Sequence, residues 1–388
     1  MAPKLKVPDV EKLKFVQRLC DKNSPYEDFK DNDEEFVLAM KEITTWHIEN
    51  CDFYKKLSIS QNFDIEKIKF ANDCLEIPHL WAHFFKTHEV LSIENKDVFL
   101  HLTSSGTTGQ KSQIFFDEWT IRSAQRMVDS IFEKYNWITS NQKCNYVLFS
   151  YETESSSKLG TAYTDNFLCK YAPVNKAFYA LKLTGSGGHE FDCFGTIEAF
   201  QQYAKEGLPV RIFGFPAFFY FALERMKKLG IKPIKLHPDS LVFLGGGWKG
   251  NADKAISKED LYSLVEEMLG IPNDRLRDGY GSVEHCIPYV ECAHHEFHIP
   301  VWSRVFIRDI ETLKPLGFDE KGFLHFISPY ITSMPAHSVI MGDMASLHAP
   351  DTCGCGLPTP YFRIHGRAGV SKNKSCALAA SELLKGKS

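Results

Sequence analysis

The middle of the chain alternates between short apolar runs and amphipathic stretches, and this alternation constrains the fold more than any other feature. The apolar runs, whose length and composition are typical of buried strands, are residues 147–149, 210–213 and 241–244. The amphipathic stretches, which have a helical period, are residues 196–205, 218–229 and 258–269. Strand and helix alternating at this spacing predict a mixed or parallel α/β layer, in which ligands bind outside the carboxyl ends of the strands.

The two ends of the chain have a different texture. Residues 10–19 and 33–57 are charged and amphipathic, so we expect residues 1–60 to form a helical cap on the main body. Residues 290–366 contain short β-favouring runs joined by turns, which predicts a β-rich subdomain. The last residues form a short basic tail with a weak helical pattern over residues 376–384.

Composition and charge exclude several classes of protein. The chain has 388 residues, 44% hydrophobic and 24% charged, which is ordinary for a globular enzyme. The formal net charge is −4, and no basic field suits nucleic acid. The longest apolar run, residues 212–223, contains a proline and is too short to span a bilayer. Because the N-terminus lacks a signal-peptide pattern and the chain has 11 cysteines, we expect a reducing, cytoplasmic location.

A hydroxyl- and glycine-rich loop lies between two β-favouring runs, residues 98–102 and 114–116. The residues of this loop that could bind a ligand are Thr103, Ser104, Ser105, Gly106, Thr107, Thr108, Gly109 and Lys111. The glycines allow N–H groups to turn toward one point, while the hydroxyls and the lysine add donors and a positive charge, so the loop suits a polyphosphate. It is not a Walker loop, because the glycine spacing differs and a strand follows instead of a helix. A flexible polar turn is the structural alternative.

Two further motifs follow predicted strands. The turn Gly245-Gly246-Gly247 either closes tightly or lets a flat ligand approach the strand end. The segment from Asp278 to Glu284 reads Asp-Gly-Tyr-Gly-Ser-Val-Glu. An exposed aromatic between glycines can stack on a base, and the carboxylate after it can hold Mg²⁺, although a plain turn is the alternative.

Two single side chains complete the series. Asp343 follows a glycine at the expected end of a strand, a geometry that suits the paired hydroxyls of a ribose. Arg367 follows another glycine, where the last predicted strand ends. Each signal is weak alone, and their order along the chain gives them weight together.

In that order the motifs resemble those of the adenylate-forming superfamily, the acyl- and aryl-CoA synthetases and their relatives, which activate a carboxylate with ATP as an acyl-adenylate. The resemblance implies that the loop at 103–111 binds the phosphates of ATP and that the glycine turn at 245–247 lies against adenine. The roles it implies for single residues are stacking on adenine by Tyr280, beside Gly281; contact of Ser282 with the acyl carboxylate or α-phosphate; Mg²⁺ binding by Glu284; ribose binding by Asp343; and a hinge at Arg367.

The resemblance also implies the fold. We expect the α/β large domain of these enzymes over residues 1–366, with mixed sheets flanked by helices and the β-rich subdomain, and a drastically shortened C-terminal domain over residues 367–388. The larger synthetases carry a much longer segment after the hinge, including a lysine that completes adenylation. Here Lys372 and Lys374 are candidates for that lysine, and nothing in the sequence chooses between them.

The tail itself resembles the end of the acyl-protein synthetases, the fatty-acid-activating component of the bacterial bioluminescence reductase. In that family a cysteine near the C-terminus takes the acyl group from the adenylate as a thioester, and Cys376 matches it. A thiolate is the competent nucleophile, and the neighbouring Lys372 and Lys374 favour its formation. The alternative is a cysteine that packs the tail.

Cysteines and histidines suggest two candidate metal sites, one with four candidate ligands and one with only two. Cys292, His298, Cys353 and Cys355 offer four soft ligands of the kind structural Zn²⁺ prefers, with His294 or His295 as substitutes for His298. Unmetallated thiols in a hairpin are the alternative. His79 and His83 have helical metal-site spacing but no nearby third ligand, so we interpret them as surface or packing residues.

The sequence thus predicts an enzyme that uses ATP and Mg²⁺, with Zn²⁺ as an open question, to activate a fatty or related apolar carboxylate. Cys376 would capture the acyl group and pass it to an acyl reductase or another acceptor protein. The alternatives are an acyl- or aryl-CoA ligase, in which coenzyme A is the acceptor, and a nucleotide-binding scaffold without catalysis.

Overall fold

The computed structural model describes residues 5–103, 113–152, 167–185, 188–248 and 250–367. The helices are α1 (Lys14–Cys20), α2 (Asp33–Asn50), α3 (Asp52–Ser60), α4 (Glu118–Lys134), α5 (Cys193–Glu206), α6 (Pro216–Lys228) and α7 (Lys258–Leu269). The strands are β1 (Leu80–Trp81), β2 (Leu100–Thr103), β3 (Gln113–Phe116), β4 (Cys144–Tyr151), β5 (Val174–Leu183), β6 (His189–Phe191), β7 (Val210–Gly214), β8 (Leu241–Gly245), β9 (Leu276–Tyr280), β10 (Tyr289–Val290), β11 (Phe297–His298), β12 (Arg304–Arg308), β13 (Lys321–Ile327), β14 (Ser338–His348) and β15 (Tyr361–Arg367).

One sheet contains the predicted α/β layer. Its seven strands run in the order β10-β9-β8-β7-β4-β5-β6. The five inner strands are parallel to one another, and β6 and β10 are antiparallel edges. The parallel layer predicted from the strand and helix spacing is therefore confirmed, and α7 covers the predicted residues. Its bounds follow from local chemistry, because the Ser257 side chain caps its first turn and Gly270, at φ 65°, ends it in the left-handed region.

A second sheet is built from the β-rich part of the chain. The order is β11-β15-β14-β13-β12, with antiparallel neighbours throughout, and the predicted β-favouring runs of residues 290–366 form these strands. The short strand β1 adds to β14 in parallel, with Leu80 opposite Val339. The segment before the predicted phosphate loop is thereby joined to the second sheet.

The N-terminal helices differ from the sequence prediction in two places. The first helix begins at Lys14 rather than at residue 10. The single helix predicted over residues 33–57 is wrong, because Cys51 adopts an extended conformation, with φ −130° and ψ 105°, between α2 and α3. Asp52 then starts a new first turn, where an acidic side chain is favourable.

Contacts of α2 fix the N-terminal helices to the second sheet. The Arg304 guanidinium on β12 lies 2.7 Å from Asp33 Oδ1, and it is stacked on the rings of Phe29 and Phe36. Further along α2, Trp46 Nε1 donates to the Thr332 carbonyl at 2.8 Å. These contacts bury an arginine between two aromatic rings and a carboxylate, which compensates its charge.

Two features bear on other sequence expectations. Among the described helices, none is both long and apolar enough to cross a membrane. His79 packs edge-on against the ring of His325, with ring centroids 5.6 Å apart, and burial lowers the pKa of His79 to about 4. The contact with His325 supports the packing interpretation for His79, and His83 is exposed at the surface.

Candidate functional site

The two runs that flank the predicted phosphate loop form a hairpin. Strands β2 and β3 pair antiparallel, and Thr103 lies opposite Gln113. The strand–loop–strand arrangement predicted from the sequence is thus confirmed, and both ends of the loop are held at one point. The loop residues Ser104, Ser105, Gly106, Thr107, Thr108, Gly109 and Lys111 lie outside the described residues.

Two glycine-containing strand ends meet beside this hairpin. Gly245 of β8 is paired with Gly279 of β9, so their carboxyl ends lie at the same edge of the sheet. Gly246 and Gly247 have φ 75° and 68°, a backbone region that glycine adopts at little cost. A Cβ on Gly279 would lie 2.6 Å from Phe243 Cζ, so only glycine fits there. Gly281 lies next to this crowded position and lines a cavity, and a Cβ there would meet no atom within 4 Å, so the edge is compatible with the predicted crevice for a flat ligand.

Tyr280, Asp343 and Arg367 are brought together from three strands. The Tyr280 hydroxyl donates to Asp343 Oδ2 at 3.0 Å, and Arg367 Nε lies 3.6 Å from Asp343 Oδ1. Burial raises the pKa of Asp343, while the Arg367 charge and the Tyr280 hydroxyl act in the opposite direction. The Arg367 side chain is 73% exposed, so it can still contact a ligand.

Two details of this group differ from expectation. Tyr280 is not an exposed aromatic: its ring is half-buried, with the rings of Phe326 and Phe362 each 5.9 Å away. Asp343 does not end a strand, because β14 continues to His348. The strand is irregular at this point instead, since its register with β15 shifts between Met344 and Ala345.

Gly281, Ser282 and Glu284 extend from the end of β9. Gly281 and Ser282 line a cavity, and the Ser282 hydroxyl approaches Met341 Sδ at 3.9 Å. Glu284 is only 6% exposed, and within the described ranges no hydrogen bond or ion pair reaches its carboxylate. Carboxylate oxygens are ligands that Mg²⁺ prefers, so this position is compatible with the predicted role of Glu284.

A cavity of about 290 Å³ opens at these strand ends. One wall is the α4 stripe, which we define as Ile121, Ala124, Gln125, Val128 and Phe132. Their spacing of three or four residues places them on one helix face. The other lining residues include Phe243, the glycines of β8 and β9, and Leu102 of β2. The cavity is mainly apolar and ends among the residues predicted to hold the nucleotide.

The four predicted zinc ligands form one cluster. The ligand atoms of Cys292, His298, Cys353 and Cys355 all lie within 4.8 Å of one another. His298 Nε2 is 3.2 Å from Cys355 Sγ, and the sulfurs of Cys292 and Cys353 are 3.5 Å apart. Three sulfurs and one imidazole nitrogen at such separations match the donor set of a structural Zn²⁺ site.

Hydrogen bonds orient the cluster. His298 Nδ1–H donates to the Thr359 carbonyl at 2.7 Å, so Nε2 keeps its lone pair for a metal. Burial lowers the pKa of His298, which favours this neutral ring. The cluster found among the described residues does not include the substitutes for His298. His294 Nδ1 contacts the Cys353 carbonyl beside the cluster, and His295 contacts Glu291 and Asn273.

Sequence reasoning missed two parts of this region. The helical period of residues 119–135, formed by Ile121, Met127, Ile131 and Phe132, predicts a helix that the structure confirms as α4. It does not predict that Ile121 and Phe132, with the rest of the α4 stripe, line a cavity. Apolar residues at this spacing are expected both in a helix face that packs in the core and in one that lines a cavity. Only the tertiary structure distinguishes the two. The second part is Glu291, a buried carboxylate that belongs to none of the motifs.

The predicted residues of the tail cannot be placed. Lys372, Lys374 and Cys376 lie outside the described residues, as does the helix expected over residues 376–384. Arg367, at the end of β15, is the last described residue before them.

Comparison with known proteins gives consistent results. The fold is similar to that of a 2-hydroxyisobutyryl-CoA ligase in complex with 2-HIB-AMP and CoA, with a TM-score of 0.63 and 12% identity, over 95% of this chain and 81% of that one. This similarity confirms the predicted adenylate-forming fold.

Two curated relatives share the name long-chain-fatty-acid–luciferin-component ligase. The one from Aliivibrio fischeri is 25% identical over 316 residues, covering 80% of this chain and 79% of the relative. The one from Vibrio harveyi is 23% identical over 342 residues, covering 87% and 85%. The sequence profile described as "Acyl-protein synthetase, LuxE" matches residues 18–385, so the chain belongs to the LuxE acyl-protein synthetase family.

Proposed function

We propose that the protein activates a long-chain apolar carboxylate with ATP and then carries the acyl group as a thioester on Cys376. The observation that carries this proposal is the apolar cavity that ends at the glycines of β8 and β9, beside Ser282 and the group formed by Tyr280, Asp343 and Arg367. An apolar cavity suits an alkyl chain, and the polar groups at its end suit a nucleotide.

The first step is adenylation. A carboxylate oxygen attacks the α-phosphorus of ATP, the bond to the β-phosphate oxygen breaks, and pyrophosphate leaves. The role of this chain is to hold the reactants in line and to offset negative charge. Lys111 and the loop N–H groups would contact the phosphates, and Asp343 would accept from the ribose hydroxyls. Glu284 would hold Mg²⁺, which supplies positive charge beside the phosphates.

The second step moves the acyl group to the protein. The Cys376 thiolate attacks the acyl carbon, the bond to the AMP oxygen breaks, and AMP leaves as the thioester forms. Cys376 is nine positions beyond Arg367, and an extended chain of that length spans about 30 Å, enough to reach the cavity. The thioester would then be passed to an acyl reductase or another acceptor protein.

We also propose that the Cys/His cluster holds one structural Zn²⁺. Support comes from the four ligand atoms within 4.8 Å and from the Nδ1 hydrogen bond that aims His298 Nε2 at Cys355. Four protein ligands leave no open coordination position, so this metal would stabilise the fold and take no part in the reaction.

Pyrophosphate release tests the proposal. The purified protein is incubated with ATP, Mg²⁺ and, in turn, acetate, hexanoate, decanoate and hexadecanoate, with and without coenzyme A. We expect release that rises with chain length and produces no free coenzyme A thioester. A soluble coenzyme A thioester would favour the ligase alternative, and release with none of the four acids would favour the scaffold.

A further inference from the structure

Glu291 is a buried carboxylate directly behind the strand that carries Tyr280. Its side chain is 0% exposed, and it follows β10, which pairs with the end of β9. It is placed there by the pairing of Val290 with Gly279. No motif used above includes this residue, and the proposed reaction assigns it no task.

Glu291 holds both backbone groups of Asp278. The Asp278 N–H donates to Glu291 Oε2 at 2.8 Å, and the Glu291 N–H donates to the Asp278 carbonyl at 3.1 Å. The Glu291 carboxylate thus takes the place of a backbone carbonyl as hydrogen-bond acceptor for Asp278, the first residue of the Asp278-Gly-Tyr-Gly-Ser motif. The backbone of Asp278 cannot rotate without breaking one of these two bonds.

Two side chains of α7 hold the carboxylate in turn. The Tyr262 hydroxyl donates to Glu291 Oε2 at 3.0 Å, and the Lys258 ammonium binds Oε1. Lys258 also lies 3.9 Å from Asp278 Oδ2, so it bridges both carboxylates. Since buried ion pairs are often no more stabilising than apolar residues of similar size, stability alone is a weak reason for this network.

The network ends one residue from the cavity. Gly279, which follows Asp278, is pressed against Phe243, and Tyr280 contacts Asp343 through its hydroxyl. A small rotation at Asp278 would therefore move Gly279, Tyr280 and Ser282 together. A carboxylate that fixes Asp278 fixes the orientation of the surface against which a nucleotide would lie.

We propose that Glu291 is a positioning residue for nucleotide binding, acting through the backbone of Asp278 and braced by Lys258 and Tyr262. This inference rests on the proposed function, because it assigns the end of β9 to ATP. Glu291 itself does not touch the nucleotide; it holds the strand in the conformation that does.

The test compares ATP with the carboxylate substrate. Glu291→Gln keeps the shape but brings an amide N–H₂ among the donors of Lys258, Asp278 and Tyr262, and beside His295 Nδ1, which lies 3.3 Å from Glu291 Oε2. We expect the KM for ATP and the directly measured ATP dissociation constant to rise about tenfold, because a buried donor is left unpaired. The KM for the carboxylate and kcat, per folded enzyme, should change by less than about twofold.

A control separates positioning from stability. Asp33→Asn breaks another ion pair, the one between Asp33 of α2 and Arg304 of the second sheet. We expect it to lower the melting temperature and to leave the KM for ATP unchanged. If Glu291→Gln also lowers only the melting temperature, its role is structural and the inference is wrong.

A second variant covers failure of Glu291→Gln to fold. Tyr262→Phe removes one donor to the carboxylate and keeps the ring that packs on His295. An ATP dissociation constant about threefold above wild type supports the inference, and an unchanged one overturns it. Because binding is measured without turnover, the result is decided even if no carboxylate releases pyrophosphate, an outcome that would count against the proposed function alone.

Discussion

At the residue scale, the candidate site depends on a few polar side chains that distant parts of the chain bring together. Asp343 joins Tyr280 of the first sheet to Arg367 at the end of β15, so one carboxylate connects the two sheets. Its two oxygens are already in contact with a hydroxyl and a guanidinium, and a ribose would compete for these contacts.

Asp343 is the first residue to test. Asp343→Asn removes the charged acceptor, so we expect the KM for ATP to rise about tenfold with little loss of melting temperature. Steady-state kinetics with ATP as the varied substrate measures this. Glu296→Gln is a matched control, because Glu296 also pairs with an arginine of β15, Arg363. Equal KM values for ATP in the two variants would show that Asp343 does not contribute to ATP binding.

Lys111 tests the loop. Lys111→Ala should reduce pyrophosphate release by about two orders of magnitude, since a positive charge at the phosphates acts mainly in the transition state. The fold should be retained, and circular dichroism checks this. Lys96→Ala, an exposed lysine that pairs with Glu94, is the control. Undiminished turnover in Lys111→Ala would separate the loop from catalysis.

Residue identities were predicted best where spacing carries the signal. Gly245, Tyr280 and Arg367 could be singled out because each adjoins a glycine at a strand end, and Asp343 because it follows Gly342, although Asp343 lies inside β14. The structure pairs Asp343 with Arg367, and Gly245 with Gly279, the neighbour of Tyr280. The half-buried state of Tyr280 could not be predicted, because its neighbours Phe326 and Phe362 come from another sheet.

At the scale of secondary structure elements, α4 forms one wall of the cavity with the α4 stripe. Val128→Trp should fill part of the cavity, so we expect kcat/KM to fall at least about tenfold for hexadecanoate and much less for hexanoate. The control is Glu133→Trp, which puts the same side chain on the exposed face of α4. Equal losses for both acids would place the alkyl chain elsewhere.

The Cys/His cluster, which ties β11 to the loop before β15, allows a metal prediction. The purified protein should contain about one zinc per chain, and a strong chelator should lower its melting temperature by several degrees, because the metal binds only the folded state. Elemental analysis and thermal unfolding measure the two effects. Cys355→Ser should lose the metal and Cys193→Ser, outside the cluster, should keep it. Metal-free protein with the same stability would leave these thiols as packing residues.

Elements were predictable where pattern and caps agree. The bounds of α7 follow from Ser257 and Gly270. The start of α4 follows from Asp117, whose side chain accepts from the Thr120 N–H at 2.8 Å. The break at Cys51 was missed, because the apolar period continues across it and Cys51 has no special backbone preference. Tertiary packing decides such a break.

At the scale of the whole molecule, the order of strands was beyond sequence reasoning. Nothing local predicts that β1 adds to β14, since Leu80 and Val339 are far apart in sequence. The parallel layer was predictable, because short connections and helical crossovers leave few other arrangements. The contact between the two sheets at Tyr280 and Asp343 could not be predicted, because it depends on how the sheets pack.

Capture of the acyl group by Cys376 is the step that distinguishes the proposed function from that of a coenzyme A ligase. Labelled hexadecanoate is incubated with ATP, Mg²⁺ and wild type, Cys376→Ser or the control Cys193→Ser, and label on the denatured protein is counted before and after neutral hydroxylamine. We predict hydroxylamine-labile label on wild type and Cys193→Ser, and none on Cys376→Ser, which should still release pyrophosphate because a serine without an activating base is a poor nucleophile. Label retained by Cys376→Ser at the wild-type level would contradict capture by Cys376.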